Sequence, residues 1–307
     1  MNSSIPKPKP ISHRPTPHLK ELQVVVVQYK GSNNQYQDAQ QELIEVIELA
    51  GQSGAHVVVT PECSCSKYLF TDLDEARRHS ERQNGQFAKR ISQLAQRHQM
   101  WCFVGVVESA PDDQLYNSTF IISPSGEILC YRKRLLFEAD KVWAQSGEGQ
   151  PVPQLTNTHS DLIVDRAHLT LDEPQAPYPL LNVFGWRTTV GICMDLNDIR
   201  FLKFCQQAEV ELIAFPTNWL DEGHDVLHYW AYLLQDMKRA TLLAANTYGT
   251  EEDISFCGGS AILQADPPTL FGRAPSEGDY MISVKLYYPD DDGMRELSTP
   301  PPSPTDH

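Results

Sequence analysis

The segment Val57-Val58-Val59-Thr60-Pro61-Glu62 joins four β-branched residues to a proline and a carboxylate. A short apolar run of this kind is typical of a strand that is buried on both faces. A second run, residues 22–28, contains four consecutive valines. Between them, apolar residues recur at helical spacing until Gly51 and Gly54, which predict the end of a helix. Strand, helix and strand in this order indicate an α/β fold.

The same alternation continues along the chain. Residues 87–95 have the spacing of an amphipathic helix, and residues 101–108 read as the next strand. Pro124-Ser125-Gly126-Glu127 then separates two strand-like runs, which is a hairpin signal, so the sheet is predicted to be mixed. A helix is predicted at 226–240, and further strands are predicted at 186–192, 210–216, 242–246 and 260–263.

The two ends of the chain differ from the middle. Residues 1–20 and 289–307 are rich in proline and poor in apolar side chains, so both are predicted to be disordered tails. Residues 21–288 are predicted to form one folded domain. Within it, the stretch at about 150–180 carries prolines without clear periodicity and is predicted to be a surface insertion.

Composition excludes several classes of protein. A formal charge of −15 and a pI near 5.0 argue against nucleic-acid binding, which depends on clustered Lys and Arg. We expect no membrane association, because no stretch approaches the roughly 18 apolar residues of a spanning helix, and the N-terminus lacks the apolar core of a secretory signal. The seven scattered cysteines indicate reduced thiols. Together these features predict a cytoplasmic protein.

Three polar residues follow predicted strands and are candidates for chemistry. Glu62 comes just after a strand, Lys133 ends the second hairpin strand, and Cys193 follows the apolar run Thr189-Val190-Gly191-Ile192. Catalytic groups of α/β proteins collect at the carboxyl ends of strands. Each residue also has an ordinary structural interpretation: a solvated loop glutamate, a basic sheet edge and a small core side chain.

Taken together, the three motifs resemble the nitrilase superfamily of carbon–nitrogen hydrolases. They are a strand followed by Pro-Glu, then Tyr131-Arg132-Lys133 with Leu136-Phe137, then Gly191-Ile192-Cys193 with Asp195. The resemblance extends to Phe215-Pro216-Thr217-Asn218-Trp219, and to the segments 239–246 and 258–262. It implies an α/β fold of four layers, an α-β-β-α sandwich with mixed sheets, and often a homodimer formed through outer helices.

The resemblance also implies roles for individual residues. Cys193 would be the nucleophile, Glu62 the general base and Lys133 the electrostatic partner, with Glu138 as an assisting carboxylate. The backbone amide of Met194 would share the oxyanion with Lys133. Asn218 and Trp219 would line the substrate site. The chemistry needs neither a cofactor nor a metal.

One branch of the superfamily is especially similar. Cys193-Met194-Asp195-Leu196 and the stretch from Lys133 to Trp143 resemble the protein N-terminal asparagine/glutamine amidohydrolases. This implies an amide substrate at a peptide or protein N-terminus, whose α-ammonium needs an acidic partner. The candidates are Asp140, Asp195 and Asp198. Of these, Asp195 is expected to have a structural role instead, holding the turn at Cys193 by accepting backbone hydrogen bonds.

Other readings compete with this one. Asp198-Ile199 stands where that branch commonly has a proline and an aromatic residue, so a small ω-amide or a carbamoyl amine is an alternative substrate. A non-catalytic binding protein is a further alternative, although such a protein would usually have lost part of the triad. His224 and His228 would suit a metal only if a helix spanned both.

Overall fold

The computed structural model describes residues 19–31, 36–149, 170–172 and 177–288. Its five α-helices are α1 (Tyr36–Gln52), α2 (Leu73–Arg78), α3 (Gln86–His98), α4 (Ile199–Gln207) and α5 (Val226–Leu233). Its strands in this part of the chain are β1 (Glu21–Gln28), β2 (Val57–Val59), β3 (Trp101–Ser109), β4 (Leu115–Ile122), β5 (Ile128–Arg132), β6 (Leu181–Val183), β7 (Trp186–Val190), β8 (Leu212–Thr217), β9 (Thr241–Asn246), β10 (Tyr248–Glu251), β11 (Ile254–Cys257), β12 (Ala261–Gln264), β13 (Thr269–Arg273) and β14 (Tyr280–Tyr287).

The strands form two six-stranded sheets and a separate hairpin. The first sheet has the order β14-β1-β2-β3-β4-β5, and the second has the order β13-β12-β9-β8-β7-β6. In each sheet three central strands are parallel, β1 to β3 and β7 to β9, and the flanking strands are antiparallel. Both sheets are therefore mixed, as predicted. The hairpin consists of β10 and β11.

Side-chain alternation along the strands separates the layers. In β1, Val24 and Val26 belong to the core between the two sheets, whereas Val25 and Val27 pack towards α1 and α3. On the far side, α4 and α5 contribute Phe201 and Trp230 to the core beneath the second sheet. This is the predicted four-layer α-β-β-α sandwich, and the fold prediction is confirmed.

Most predicted elements are present, but some differ. The helix predicted at 226–240 ends at Leu233, because the chain turns back through Arg239, which has a φ of 67°, to begin β9 at Thr241. The hairpin of β10 and β11 and the strand β14 were not predicted. β14 pairs with β1 along its whole length, so it completes the first sheet from the opposite end of the chain.

The predicted N-terminal tail up to residue 18, the C-terminal tail and the predicted insertion at 150–169 and 173–176 lie outside the described residues. Within the described ranges, no helix has both the length and the apolar character needed to cross a membrane. All seven cysteines are free thiols.

Candidate active site

Glu62 lies just past the end of β2, between the two sheets, and is 1% exposed. Its Oε1 accepts hydrogen bonds from Lys133 Nζ at 2.6 Å and from Asn117 Nδ2 at 2.6 Å. Its Oε2 accepts the backbone N–H of Asn218 at 2.8 Å. Burial raises the pKa of Glu62 and Lys133 opposes this rise, so the pKa remains above its ordinary value. A carboxylate of this kind is a stronger base than an exposed glutamate.

Lys133 follows β5 and its side chain is fully buried. Its ammonium lies between two carboxylates, 2.6 Å from Glu62 Oε1 and 2.6 Å from Asp140 Oδ2. Burial alone would lower the pKa of Lys133, but Asp140 and Glu62 raise it well above its usual range. The residue is therefore a fixed positive charge inside the site.

The second carboxylate at Lys133 is Asp140 rather than Glu138, and this corrects the sequence-based expectation. A short helical turn, Asp140–Val142, follows the loop after Lys133, and Phe137 N–H donates to Asp140 Oδ2 at 2.8 Å. That turn directs Asp140 inward, where it is 0% exposed. The Glu138 side chain is 80% exposed and pairs with Lys141 on the surface.

Cys193 lies at the turn between β7 and a short helical segment, Cys193–Asn197. Its φ of 45° is in the left-handed region, which costs free energy for a residue with a side chain. Gly191, two residues earlier, lets the Phe201 ring of α4 pack closely against the backbone of this turn. A Cβ at Gly191 would lie 2.8 Å from Cζ of Phe201. Such a strained strand-to-helix turn presents the side chain at its apex.

The thiol of Cys193 is buried beside the charged groups. Burial and the neighbouring Glu62 raise the pKa of Cys193 to about 12, while Lys133 and the Thr217 hydroxyl act in the opposite direction. The thiol therefore stays protonated at neutral pH until a base removes its proton. Glu62 is near enough for its charge to raise the pKa of the thiol, and its own raised pKa makes it a candidate for that base.

Asp195 fixes the turn that carries Cys193. Its Oδ1 accepts the N–H groups of Arg134 at 3.0 Å and Leu135 at 2.9 Å. Its Oδ2 accepts Ile192 N–H and the hydroxyl of Tyr131, both at 3.0 Å. These four bonds join the turn at Cys193 to the segment around Lys133, and each oxygen of Asp195 already accepts two of them.

The acids predicted to pair an α-ammonium are therefore all engaged inside the protein. Asp140 holds Lys133, and Asp195 holds the turn. Asp198 caps the N-terminus of α4 and accepts hydrogen bonds from Arg200 and from the Tyr178 hydroxyl. The oxygens of Asp140 already have buried partners, which argues against this residue as a substrate ligand. The backbone N–H groups that Asp195 accepts agree with the structural role expected for it.

The remaining predicted residues follow Cys193 in the chain or follow the neighbouring strand β8. Met194 follows Cys193 and is half-buried, with Asn197 Nδ2 3.6 Å from its sulfur. Asn218 is 5% exposed, and its Oδ1 has no hydrogen-bond partner among the described residues. Trp219 is partly buried against Phe215 and Trp230. Asn218 and Trp219 come directly after β8, so they lie at the same sheet edge as Cys193.

Two side chains in this site were not identified from the sequence. Asn117, in the middle of β4, donates to both Glu62 and Asp140. Thr217, the last residue of β8, neighbours the thiol of Cys193. Asn117 begins the strand-like run that precedes Pro124, and a polar residue inside a wholly buried strand was the signal that could have found it.

The metal alternative finds no support in the local geometry. Since α5 begins at Val226, His224 precedes the helix and does not share a helical face with His228. In the part of the chain that the structure describes, no group of three or more His, Cys, Asp and Glu side chains is arranged to hold a metal ion.

Residues 23–279 match the sequence profile of the family described as carbon-nitrogen hydrolase. Among individual proteins, the "Protein N-terminal amidase" of Schizosaccharomyces pombe is 26% identical over 233 residues, which cover 68% of this chain and 78% of that protein. The "Omega-amidase NIT2" of Xenopus tropicalis is 31% identical over 176 residues, which cover 56% of this chain and 55% of that protein.

Among solved structures, an amidase from Nesterenkonia sp. superposes with a TM-score of 0.64 at 18% identity, covering 89% of this chain and 92% of that one. At this level of identity the similarity establishes a shared fold.

Proposed function

This chain belongs to the carbon–nitrogen hydrolase family and is an amidase of the nitrilase superfamily, and from that premise we propose that it deamidates N-terminal asparagine or glutamine. The products would be N-terminal aspartate or glutamate and ammonia. The observation that carries the proposed mechanism is the buried cluster in which Lys133 lies 2.6 Å from Glu62, beside Cys193. The similarity to a protein N-terminal amidase supports the substrate class.

The first half-reaction forms a thioester. Glu62 takes the proton of the Cys193 thiol, and the sulfur attacks the carbonyl carbon of the side-chain amide. The oxyanion of the tetrahedral intermediate is stabilised by the Lys133 ammonium and the backbone N–H of Met194. The carbon–nitrogen bond then breaks, and the leaving nitrogen receives the proton from Glu62 and departs as ammonia.

The second half-reaction restores the enzyme. Glu62 removes a proton from a water molecule, whose oxygen attacks the thioester carbon. The carbon–sulfur bond breaks, and the Cys193 sulfur regains a proton from Glu62. The new carboxylic acid leaves and gives up its proton to solvent, so each turnover consumes one amide and one water and needs no redox partner.

A second substrate class is favoured by one observation, the 31% identity to an omega-amidase. For that class the substrate is a free ω-amide, and the same cysteine chemistry applies. The two classes differ in what surrounds the amide: an N-terminal residue carries a peptide bond and an α-ammonium.

The test is ammonia release from short peptides that begin with Asn or Gln, compared with their N-acetylated copies and with free glutamine. Cys193→Ala serves as the blank, and Cys102→Ala, a buried thiol of β3 on the helix side of the first sheet, is the matched control. Release from free N-termini alone establishes the proposed substrate. Ammonia release from free glutamine, with no release from the peptides, shows that the substrate is a free ω-amide. Equal loss in both variants contradicts Cys193 as the nucleophile.

A further inference from the structure

Asn117 makes three contacts with the catalytic cluster. Its side-chain nitrogen donates to Glu62 Oε1 at 2.6 Å and to Asp140 Oδ1 at 2.8 Å. Its backbone oxygen accepts the N–H of Lys133 at 2.8 Å. The residue is 1% exposed in the middle of β4. It therefore contacts all three charged members of the cluster.

These contacts close a ring of hydrogen bonds. Lys133 Nζ joins Glu62 Oε1 to Asp140 Oδ2, and Asn117 Nδ2 joins the same Glu62 oxygen to the other oxygen of Asp140. The ring holds two carboxylates and one ammonium, so its formal charge is −1. Two carboxylates this close to each other favour uptake of a proton by one of them.

Asparagine is suited to this position by its chemistry. A primary amide supplies two N–H donors from one nitrogen and has no charge. A lysine or arginine would neutralise the cluster and weaken Glu62 as a base. An aspartate would add a third negative charge, and a serine has a single proton to donate. Only a neutral double donor holds both carboxylates without changing the charge of the ring.

We propose that Asn117 is a positioning residue, which keeps Glu62 ionised and aimed at Cys193 by sharing its two amide protons between Glu62 and Asp140. The inference rests on the proposed cysteine mechanism, because it concerns the base that removes the thiol proton. Hydrogen bonds to the ionised form of a carboxylate favour that form. Without them Glu62 holds a proton at higher pH, and it cannot accept another from the thiol.

The experiment compares wild type with Asn117→Ala, Asn117→Asp and Thr119→Val. The aspartate variant is nearly isosteric and guards against simple misfolding of the alanine variant. Thr119 is the matched control: it lies two residues further along β4, is equally buried, and its hydroxyl has no partner among the described residues. Thermal unfolding of each variant shows whether the fold is retained.

The first readout is the pH dependence of kcat and KM on the substrate that wild type hydrolyses. Both Asn117 variants should lose about 10- to 100-fold in kcat, with KM changed less than about threefold, because the lost bonds are charge-assisted. In both variants the acidic limb of the pH–kcat profile should move to higher pH, and the shift should be larger in Asn117→Asp than in Asn117→Ala. Thr119→Val should retain the wild-type profile.

The second readout needs no substrate. Iodoacetamide alkylates thiolates, so its rate at Cys193, followed by mass spectrometry against pH, reports proton removal by the base. The inference requires this profile to move in the same direction as the kinetic one. Unchanged acidic limbs in folded Asn117 variants would overturn the inference and leave the proposed mechanism intact. Retention of wild-type activity by Cys193→Ala would instead overturn the mechanism, and the inference with it.

Discussion

Lys133 and Asp140 form an ion pair with 2.6 Å between Nζ and Oδ2, and neither side chain is exposed to solvent. A buried ammonium between two carboxylates is stable only when its geometry is fixed and its other protons are bonded. Asp140 therefore sets where the charge of Lys133 lies relative to Glu62. The pair links the strand end at Lys133 to the helical turn that starts seven residues later.

The first prediction concerns which acid assists Lys133. Asp140→Asn removes one negative charge and a charge-assisted bond, so kcat/KM should fall by about 10- to 100-fold or more. Glu138→Gln should leave kcat/KM within about twofold, because Glu138 is exposed and pairs with Lys141 on the surface. Steady-state kinetics on the two purified variants checks this. A larger loss in Glu138→Gln than in Asp140→Asn would contradict the assignment.

The contrast between Glu138 and Asp140 shows where sequence reasoning reached its limit. Glu62, Lys133 and Cys193 were singled out because each follows a predicted strand and because the three motifs together resemble the nitrilase superfamily. Glu62 and Cys193 follow parallel strands of the two sheets, whereas Lys133 follows β5, which is antiparallel to β4. The orientation of the next carboxylate depends on the Asp140–Val142 turn, which is stabilised by the bond from Phe137 N–H. Nothing in the local pattern of residues 137–142 specifies which side of that turn faces inward.

More of the fold than of the candidate active site could be predicted from the sequence. Buried strands with continuous apolar runs, such as β1 and β3, are visible in the sequence because both of their faces are covered. β14 was missed because only Ile282 and Leu286 are buried in it, so its pattern resembles a surface segment. Asn117 was missed because its partners are 55 and 23 residues away, and their proximity exists only after β3, β4 and β5 have paired.

The second prediction concerns Asp195. Because this carboxylate accepts four hydrogen bonds in a fully buried position, Asp195→Asn replaces an acceptor with a donor that faces N–H groups. The free energy of unfolding should fall by about 3–5 kcal/mol. Urea unfolding followed by tryptophan fluorescence measures it.

The matched control for Asp195 is Asp198→Asn. Asp198 is mostly buried and caps α4, and asparagine is an equally good N-cap residue. The free energy of unfolding of Asp198→Asn should fall by less than about half of the decrease expected for Asp195→Asn. Similar losses in the two variants would contradict the role of Asp195 as the main support of the turn at Cys193.

The third prediction concerns Glu81, which lies outside the active site. The hydroxyl of Tyr36 and the side-chain amide of Gln40 donate to its Oε1, linking α1 to the segment before α3. Burial raises the pKa of Glu81 to about 7 from an ordinary value of 4.5, although the Tyr36 bond lowers it. Between these two pH values the unfolded chain has released this proton and the folded chain has kept it.

Stability should therefore fall as pH rises through this window and level off above about pH 7. Across this pH window, the ionisation of Glu81 lowers the free energy of unfolding by about 2–4 kcal/mol. In Glu81→Gln this part of the pH dependence should be absent, and in Tyr36→Phe the window should extend to higher pH. Urea unfolding at pH 5, 6, 7 and 8 measures each variant against wild type. A constant difference between wild type and Glu81→Gln across that range would refute the prediction.

The fourth prediction concerns Gly105, which supports the loop that carries Glu62. A Cβ at Gly105 would lie 2.1 Å from the backbone oxygen of Pro61 and 2.8 Å from Cα of Glu62. Since these neighbours are backbone atoms, Gly105→Ala must shift the loop. A displacement of about 1 Å at a catalytic base costs on the order of 100-fold in rate. We expect a loss of that size in kcat/KM, with a stability loss of about 1–3 kcal/mol.

Gly278→Ala separates the two effects. Gly278 has a φ of 91° but open space around its Cα, so alanine there strains the backbone without touching the active site. It should lose about 1–2 kcal/mol of stability and keep its activity. Kinetics and urea unfolding on both variants provide the comparison. If Gly105→Ala retained the activity of Gly278→Ala, the close contact beneath Pro61 would not determine the position of Glu62.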